Sequence, residues 1–443
     1  MSLKEIQDAF KKEGIEPSKD IRVTKHMAAQ LLVLFSLVQD SRVQGMCDYP
    51  LNYIILIAFL AILSGAETWM DIHLFAVEKH KWLKRVMKVD YGIPSHDTFR
   101  RVFGLFDEDQ FERIVVNVLQ NNLYSIRKKL RVVPKPTEIK QYCIDGKEEN
   151  GTGRKYTAKS DDIIRNLQTL HVYDATDDIC IYSRIINKKT NEIPVAQEFL
   201  RTTKLAGVVC TFDALHTQKA TISIIVKKGG FYVGGLKGNQ SSLLDDVRDC
   251  FTPDVLEELK KSDLHYVKTV EKAHSQVETR EYFYLDAYDD PHRDMLWGKD
   301  TIRSFVLCRK TIVPTNPNEE PSTEDRYYIS NLTDLSVISV AIRNHWSVEN
   351  SLHWHLDYSF HEDDNSTMDS VAYRNLSQLS KCALHLLQLY KSAKPGLSIN
   401  RARKSFAWNL EESLAELLTM FDDEAIAKAI RTEKKRQTKD KKA

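Results

Sequence analysis

The spacing of apolar residues changes character once along this chain of 443 residues. Over residues 1–132 the apolar positions come in long blocks without two-residue alternation, as in "TKHMAAQLLVLFSLVQD" (24–40) and "LNYIILIAFLAILSGA" (51–66), which predict helices. "PSHDTFRRVFGLF" (94–106) opens on Pro94 with Ser95 or Asp97 as the N-cap and predicts a short helix presenting Arg100 and Arg101. "VVPKPTE" (132–138) is a proline-bearing linker. From residue 139 the pattern alternates. "IKQYCIDG" (139–146) reads as a strand ending at Asp145-Gly146, and "LHVYDATDDICIYSRII" (170–186) as a hairpin. A helix over "IPVAQEFLRTT" (193–203) precedes a nearly continuous apolar strand, "GVVCTFDA" (207–214), which ends at Asp213. "TQKATISIIVKKGG" (217–230) is a second helix with glycine stop signals, and "FYVGGLKGNQ" (231–240) a strand running into a turn.

This order, βββαβαβα once the later helix is added, predicts an α/β ribonuclease-H-like core over 139–240 and 336–395. An all-helical N-terminal domain (1–132) precedes it, a β-rich insertion (241–335) interrupts it, and a helical C-terminal segment with a basic tail (396–443) follows. A dinucleotide fold is disfavoured, because no GxGxxG follows a strand.

Bulk composition narrows the partners only a little. Net charge is +1, so a nucleic-acid surface has to come from local clusters such as "HKWLKR" (80–85), "RKKLRVVPKPTEIK" (127–140), "RARK" (401–404) and the tail (431–443). Each cluster alone reads as a solvated face. The seven cysteines show no CxxC pair and imply a reducing compartment. No signal peptide is evident, and "LNYIILIAFLAIL" (51–63) is too short to span a bilayer. A cytoplasmic protein with no membrane partner is expected.

Candidate chemistry enters with three acids. Asp145 and Asp213 end the first and fourth strands, which lie side by side in a ribonuclease-H-like sheet. In "IRNHWSVENSLHWHLDYSFHEDD" (342–364), an α-helical phase of about 100° per residue gathers Ile342, Trp346, Leu356 and Phe360 on one side. It sets Glu349 in the middle of that stripe, with His345 and His353 one turn to either side. A carboxylate there needs neutralising. Facing Asp145 and Asp213 across two divalent cations, Mg²⁺ with Mn²⁺ as the alternative, would do so, since oxygen-only ligands select hard cations. Such a pair supports phosphodiester chemistry. Lys147 and Lys237 are candidate phosphate contacts, with Asn239, Arg343, His345, Trp346, Arg100 and Arg101 as further DNA-binding candidates. His216, Asn350, His353 and Asp357 are auxiliary candidates. Other readings stay open on patterning alone. Either aspartate could be a turn residue or cap, His216 a cap, and Glu349 a partner of His345 or His353, or of both in a transition-metal site.

The sequence resembles bacterial DDE transposases of the ISAs insertion-sequence type, including the H-repeat-associated proteins and their DDE_Tnp_1-associated helical domain. "DSRVQGMCDYPLNYIILIAFLAILSGAETWMDI…PSHDTFRRVF" is similar to that helical domain. "IDGK" is similar to the first catalytic motif, "TFDALHTQ" to the second, "YVGGLKGNQ" to the strand-turn after it, and "IRNHWSVENSLHWHLDYSFHEDD" to the third. The chain departs from the family in "EENGTGRK" after "DGK", where a basic stretch is usual, and in "DNSTMDS", which lacks the usual arginines.

The resemblance implies metal-binding catalytic residues Asp145, Asp213 and Glu349. It also implies double-stranded DNA partners (element ends and target), and a homodimer or larger synaptic assembly in a bacterial, nucleoid-associated setting. The implied activity is metal-dependent cleavage at terminal inverted repeats followed by strand transfer. A ribonuclease-H-like nuclease without strand transfer, or a catalytically silent DNA-binding protein derived from a transposase, are the alternatives.

Overall fold

In the computed structural model the described residues are 35–418, apart from 88–89, 118, 120–138, 156–162, 165, 187–190, 274–275, 317, 393 and 395. The linker at 132–138, most of the 24–40 segment and the basic tail lie outside them. Eleven strands are described: β1 Gln141–Glu149, β2 Arg154–Lys155, β3 Ile163–Ile164, β4 Leu167–Asp174, β5 Ile179–Ile185, β6 Val209–Phe212, β7 Phe231–Leu236, β8 Tyr266–Ala273, β9 Gln276–Asp286, β10 Ser304–Pro314 and β11 Ser322–Ser330. Six helices matter most: α1 Leu51–Leu63, α2 Glu192–Thr202, α3 Lys219–Lys227, α4 Leu335–His345, α5 Trp354–Phe360 and α6 Ser370–Ser392.

All strands but the β2–β3 ribbon join one mixed sheet, in the order β5-β4-β1-β6-β7-β11-β10-β9-β8. β1, β4 and β5 meander antiparallel, while β6 lies parallel to β1 and β7 parallel to β6. The parallel steps need crossovers, and α3 supplies the one between β6 and β7. The segment expected as an insertion proves to be continuous with this sheet. β11 pairs antiparallel with β7, matching Ile329 to Gly234, and β10, β9 and β8 extend the sheet outward. A run of β-rich strands entering beside β7 finds an unpaired edge there, and pairing it satisfies the backbone groups that an edge leaves open.

Alternation along β1 sends Tyr142 and Ile144 to one face, where they pack with Leu170, Val172, Phe199 of α2 and Ile222 and Ile225 of α3. Cys143 points the other way, into a core built from α1, the segment around Val348–Phe360 and α6. α4 covers the same side of the sheet farther along, over Val209, Val233 and Val306. Thus the N-terminal helices share a core with the C-terminal ones. α1 is buried along its whole length. Arg403, from "RARK", is 5% exposed and donates to the carbonyls of Ile62, Ala66 and Ser359, with its guanidinium 4.4 Å from the Phe360 ring centre. It ties the end of α1 to the end of α5 and forms no part of a basic surface. Among the described residues no helix is long and apolar enough to cross a membrane.

Candidate active site

The first two acids meet by strand register. Ile144 on β1 pairs with Phe212 on β6, so the next residues, Asp145 and Asp213, leave adjacent parallel strands at the same level. β1 does not stop there as expected. Its pairing with β4 carries it to Glu149, whereas β6 ends at Phe212. Asp145 therefore sits where one strand outlasts its neighbour. Asp213 turns the chain: its Oδ1 accepts from the backbone N of Leu215 (3.0 Å) and His216 (3.4 Å). Thr217 Oγ1 donates to Asp213 O and Gly235 O. Asn239 Nδ2 donates to Ala214 O at 2.7 Å, so this residue braces the Asp213 turn from the loop after β7.

The third acid arrives on an irregular helix. The expected single α-helix breaks at Trp346–Ser347, and Val348–His353 forms a π turn before α5 begins. The buried stripe is Ile338, Ile342, Val348, Leu352, Leu356 and Phe360. The break hands the apolar positions to Val348 and Leu352, so Glu349 is exposed and not buried in the stripe as the 100° phase predicts. Wide π turns are rare and recur at functional sites. Trp346, also expected in the stripe, is half-buried, with the Arg326 guanidinium 4.8 Å from its ring centre.

The electrostatics tie the three acids together. Burial, then the charges of Glu349 and Asp213, and then that of Glu192, push the Asp145 carboxyl up to about 7. Desolvation also raises Glu349, with Arg326 opposing it. Two histidines flank the site. His353 Nδ1 stands 3.7 Å from Asp145 Oδ2, and its Nε2 is 3.0 Å from Nδ1 of the fully buried His171, the cross-strand partner of Asp145 on β4. His345 Nδ1 is 3.1 Å from Thr211 Oγ1. Burial holds both His345 and His353 well below the usual imidazole range, to about 4 and about 3, so both are neutral at pH 7. His345 and His353 thus face β6 and β1 respectively, and do not close with Glu349 into a transition-metal site. Among the described residues no three His, Cys, Asp or Glu side chains form a ready-made metal cage. The donor set nevertheless fits hard divalent ions. It offers carboxylate oxygens, and the charges of Glu349, Asp213 and Glu192 that raise Asp145 are negative, which a cation would relieve.

Other sequence candidates fall elsewhere. Lys147 is 8% exposed. Its Nζ pairs with Glu149, lies 2.8 Å from Asp357 Oδ1 and 3.6 Å from Asp363 Oδ1, and has Glu362 Oε2 at 4.0 Å. It is the counter-ion of a buried acidic network, not an accessible phosphate contact, and Asp357 belongs to that network with it. The cause is alternation: Asp145, Lys147 and Glu149 share one face of β1, and the Glu349-bearing segment covers it. Arg343 is held in a two-point pair with Glu271 of β8. Arg100 and Arg101 are exposed on the helix His96–Phe103, Arg100 beside Asp97 at 3.3 Å, and Lys237 and Asn350 are exposed. His216 is buried, 3.2 Å through Nε2 from Glu192 Oε2. Glu192 and His171 escaped the sequence reading. Glu192 looks like an ordinary first-turn helix acid, and only the β1–β4 register, unknowable before folding, brings His171 opposite Asp145.

Glu362 yields a pH prediction. Burial and then the Glu149 charge push its carboxyl up to about 7 from the ordinary 4.5. The folded state therefore holds this proton more tightly than the unfolded state. The stability it contributes is complete below about pH 4.5 and lost as pH rises through about 7. Glu362→Gln should be more favourable to stability, relative to wild type, at pH 8 than at pH 5. Urea unfolding at the two pH values measures the difference, and an equal effect at both would contradict the assignment.

Residues 136–386 match the profile of the Transposase DDE domain, and residues 32–118 that of the DDE_Tnp_1-associated domain. The chain belongs to the DDE transposase family. It is 30% identical over 375 residues to the "H repeat-associated putative transposase YhhI" of Escherichia coli K12, covering 83% of this chain and 93% of that protein. It is 28% identical over 389 residues to the "Putative transposase YncI" of Escherichia coli O157:H7, covering 87% and 94%. A solved synaptic complex of piggyBac transposase with hairpin DNA aligns with 93% of this chain and 82% of that one, at 13% identity and a TM-score of 0.35. That likeness is too slight to add to the argument. DDE transposase domains use divalent metal ions as a class.

Proposed function

We propose that this family member is the transposase of an insertion sequence, binding the terminal inverted repeats of its element, cleaving at their ends and joining the freed 3′-hydroxyl to target DNA. We read the core of its sheet as ribonuclease-H-like, supported by the meander β1-β4-β5 followed by two parallel additions. Asp145, Asp213 and Glu349 are the metal-binding carboxylates in this reading. The observation that carries it is the register that levels Asp145 with Asp213, together with the Glu349 charge acting on Asp145. Divalent ions held there would lower the pKa of an attacking water and take up charge on the leaving oxygen. The protein's own residues gather the carboxylates, exclude bulk water from Asp145, and keep His345 and His353 neutral beside the two strands. Exposed Arg100, Arg101 and Lys237 are the DNA contacts we retain from the candidates, with affinity that falls as salt rises. Synapsis of two ends calls for a dimer or larger assembly.

Supplying a pre-cleaved element end and a supercoiled plasmid with Mg²⁺ or Mn²⁺ tests this directly. Covalent joining of end to plasmid is expected. Nicking without joining would leave a nuclease, and neither reaction would leave a DNA-binding protein.

A further inference from the structure

We propose that the stacked rings of Trp354 and Tyr358 are a platform for an unpaired nucleobase beside the DNA strand break, one helical turn from Glu349. The inference rests on reading Glu349 as a metal-binding acid at the cleavage point. The π turn creates the alignment. The backbone N–H of Trp354 donates to the carbonyl of Glu349, five residues back, so the two stand one wide turn apart on the same side of the helix. In an unbroken α-helix five residues would carry Trp354 about 140° away. Tyr358 follows four residues later in α5, one regular turn on. Its ring stacks on that of Trp354, with 20° between the planes and 4.5 Å between the centres. Glu349, Trp354 and Tyr358 thus form one row, and all three are exposed.

The other side of this segment buries Leu352, Leu356 and Phe360, yet Trp354 is 51% exposed and Tyr358 57%. A contiguous apolar patch kept in water beside a cleavage site points to a ligand. That ligand is flat and small. Two half-exposed aromatic side chains offer about 200 Å², whereas a stable protein partner covers about 800 Å² on each side. The exposed residues flanking the pair, Asn350 and His361, are polar. A nucleobase fits, because every base has a π-face that stacks on an aromatic ring whatever the sequence. A cation for the accompanying phosphate lies nearby. α6 packs along this segment, where Gln388 Nε2 donates to Ser351 O at 2.6 Å. Three residues further on, Lys391 is exposed, and its charge acts on His355. The His355 ring meets that of Trp354 edge-on at 4.8 Å. Within a duplex both faces of a base are covered by its neighbours, so the platform selects nucleotides at a break, where fraying frees a base.

A duplex ending in an unpaired adenine overhang, and the same duplex with abasic residues in the overhang, test the platform. Their binding to the full-length protein is followed by fluorescence anisotropy in EDTA at fixed salt. Wild type should bind the adenine form about 10-fold more tightly, the effect of one base stack. Trp354→Leu and Tyr358→Leu should each lose most of that preference while binding the abasic duplex as wild type does. Trp354→Phe, which keeps a ring, should retain it. Both rings are half in water, so the melting temperatures of these variants should stay near wild type. If wild type binds the two duplexes alike, or the leucine variants keep its preference, the platform is overturned and the reading of the metal site is untouched. If the leucine variants instead dissociate a dimer of the DNA-free protein in sedimentation, with the preference for adenine unchanged, the rings are a subunit contact and the proposal is equally overturned. If wild type binds neither duplex, the reading of a DNA-processing site fails and this inference falls with it.

Discussion

Asp213→Asn is expected to lower metal-dependent nicking of element-end DNA by about 10³-fold while leaving the fold unchanged. The magnitude follows from the several kcal/mol that metal-assisted charge stabilisation contributes, at 1.36 kcal/mol per tenfold in rate. The preservation of fold follows from geometry. Asp213 Oδ1 accepts from the N–H groups of Leu215 and His216, and an asparagine oxygen can accept both. Thr217 holds the Asp213 carbonyl through its own hydroxyl, independent of the carboxylate. The substitution therefore removes a charge and little else. Plasmid nicking with Mn²⁺, beside a thermal melt of each protein, checks both halves. Wild-type nicking by the variant would remove Asp213 from the site.

The largest expected effect on stability belongs to Lys147→Met, at about 3–5 kcal/mol, the usual consequence of deleting one partner from a buried ionic network. Methionine fills the stem volume but leaves Glu149, Asp357, Glu362 and Asp363 facing one another without the cation that touches them all. Glu149 is fully buried, so its charge has no recourse to solvent. The loss should be greater at pH 8 than at pH 5, because the Glu362 and Asp357 carboxyls already sit above the usual carboxylate range and take up protons as pH falls. Guanidinium unfolding at both pH values is the measurement. A loss below about 1 kcal/mol, the scale of an exposed pair, would mean that Lys147 is accessible after all and free to meet phosphate.

Lys147 also shows where sequence reading stops. One residue past Asp145-Gly146, it has the position of a phosphate contact. Its true partners, Asp357, Glu362 and Asp363, come from a segment more than two hundred residues later, and nothing in the local spacing announces them. The Glu349 helix fails for a different reason. Its motif is recognisable, but the 100° phase presumes an unbroken α-helix, and the π turn at Val348–His353 moves Glu349 out of the apolar stripe. By contrast, the hairpin, the strand at 207–214 and the helices at 193–203 and 217–230 all recur within a few residues of where alternation and glycine signals put them.

What the amino-acid order determined unaided is the succession of strands and helices, and the family to which "IDGK", "TFDALHTQ" and the long third motif belong. Those depend on periodicity and turn chemistry over a few residues, which the linear chain carries explicitly. Tertiary structure alone decided the Ile144–Phe212 register, the joining of β8–β11 to the same sheet, the burial of Lys147 and the approach of Glu192 to Gly146. Each is a contact between distant stretches of chain. The charge state and accessibility of an ionisable group are set by whatever folding packs around it, a quantity that no local window contains.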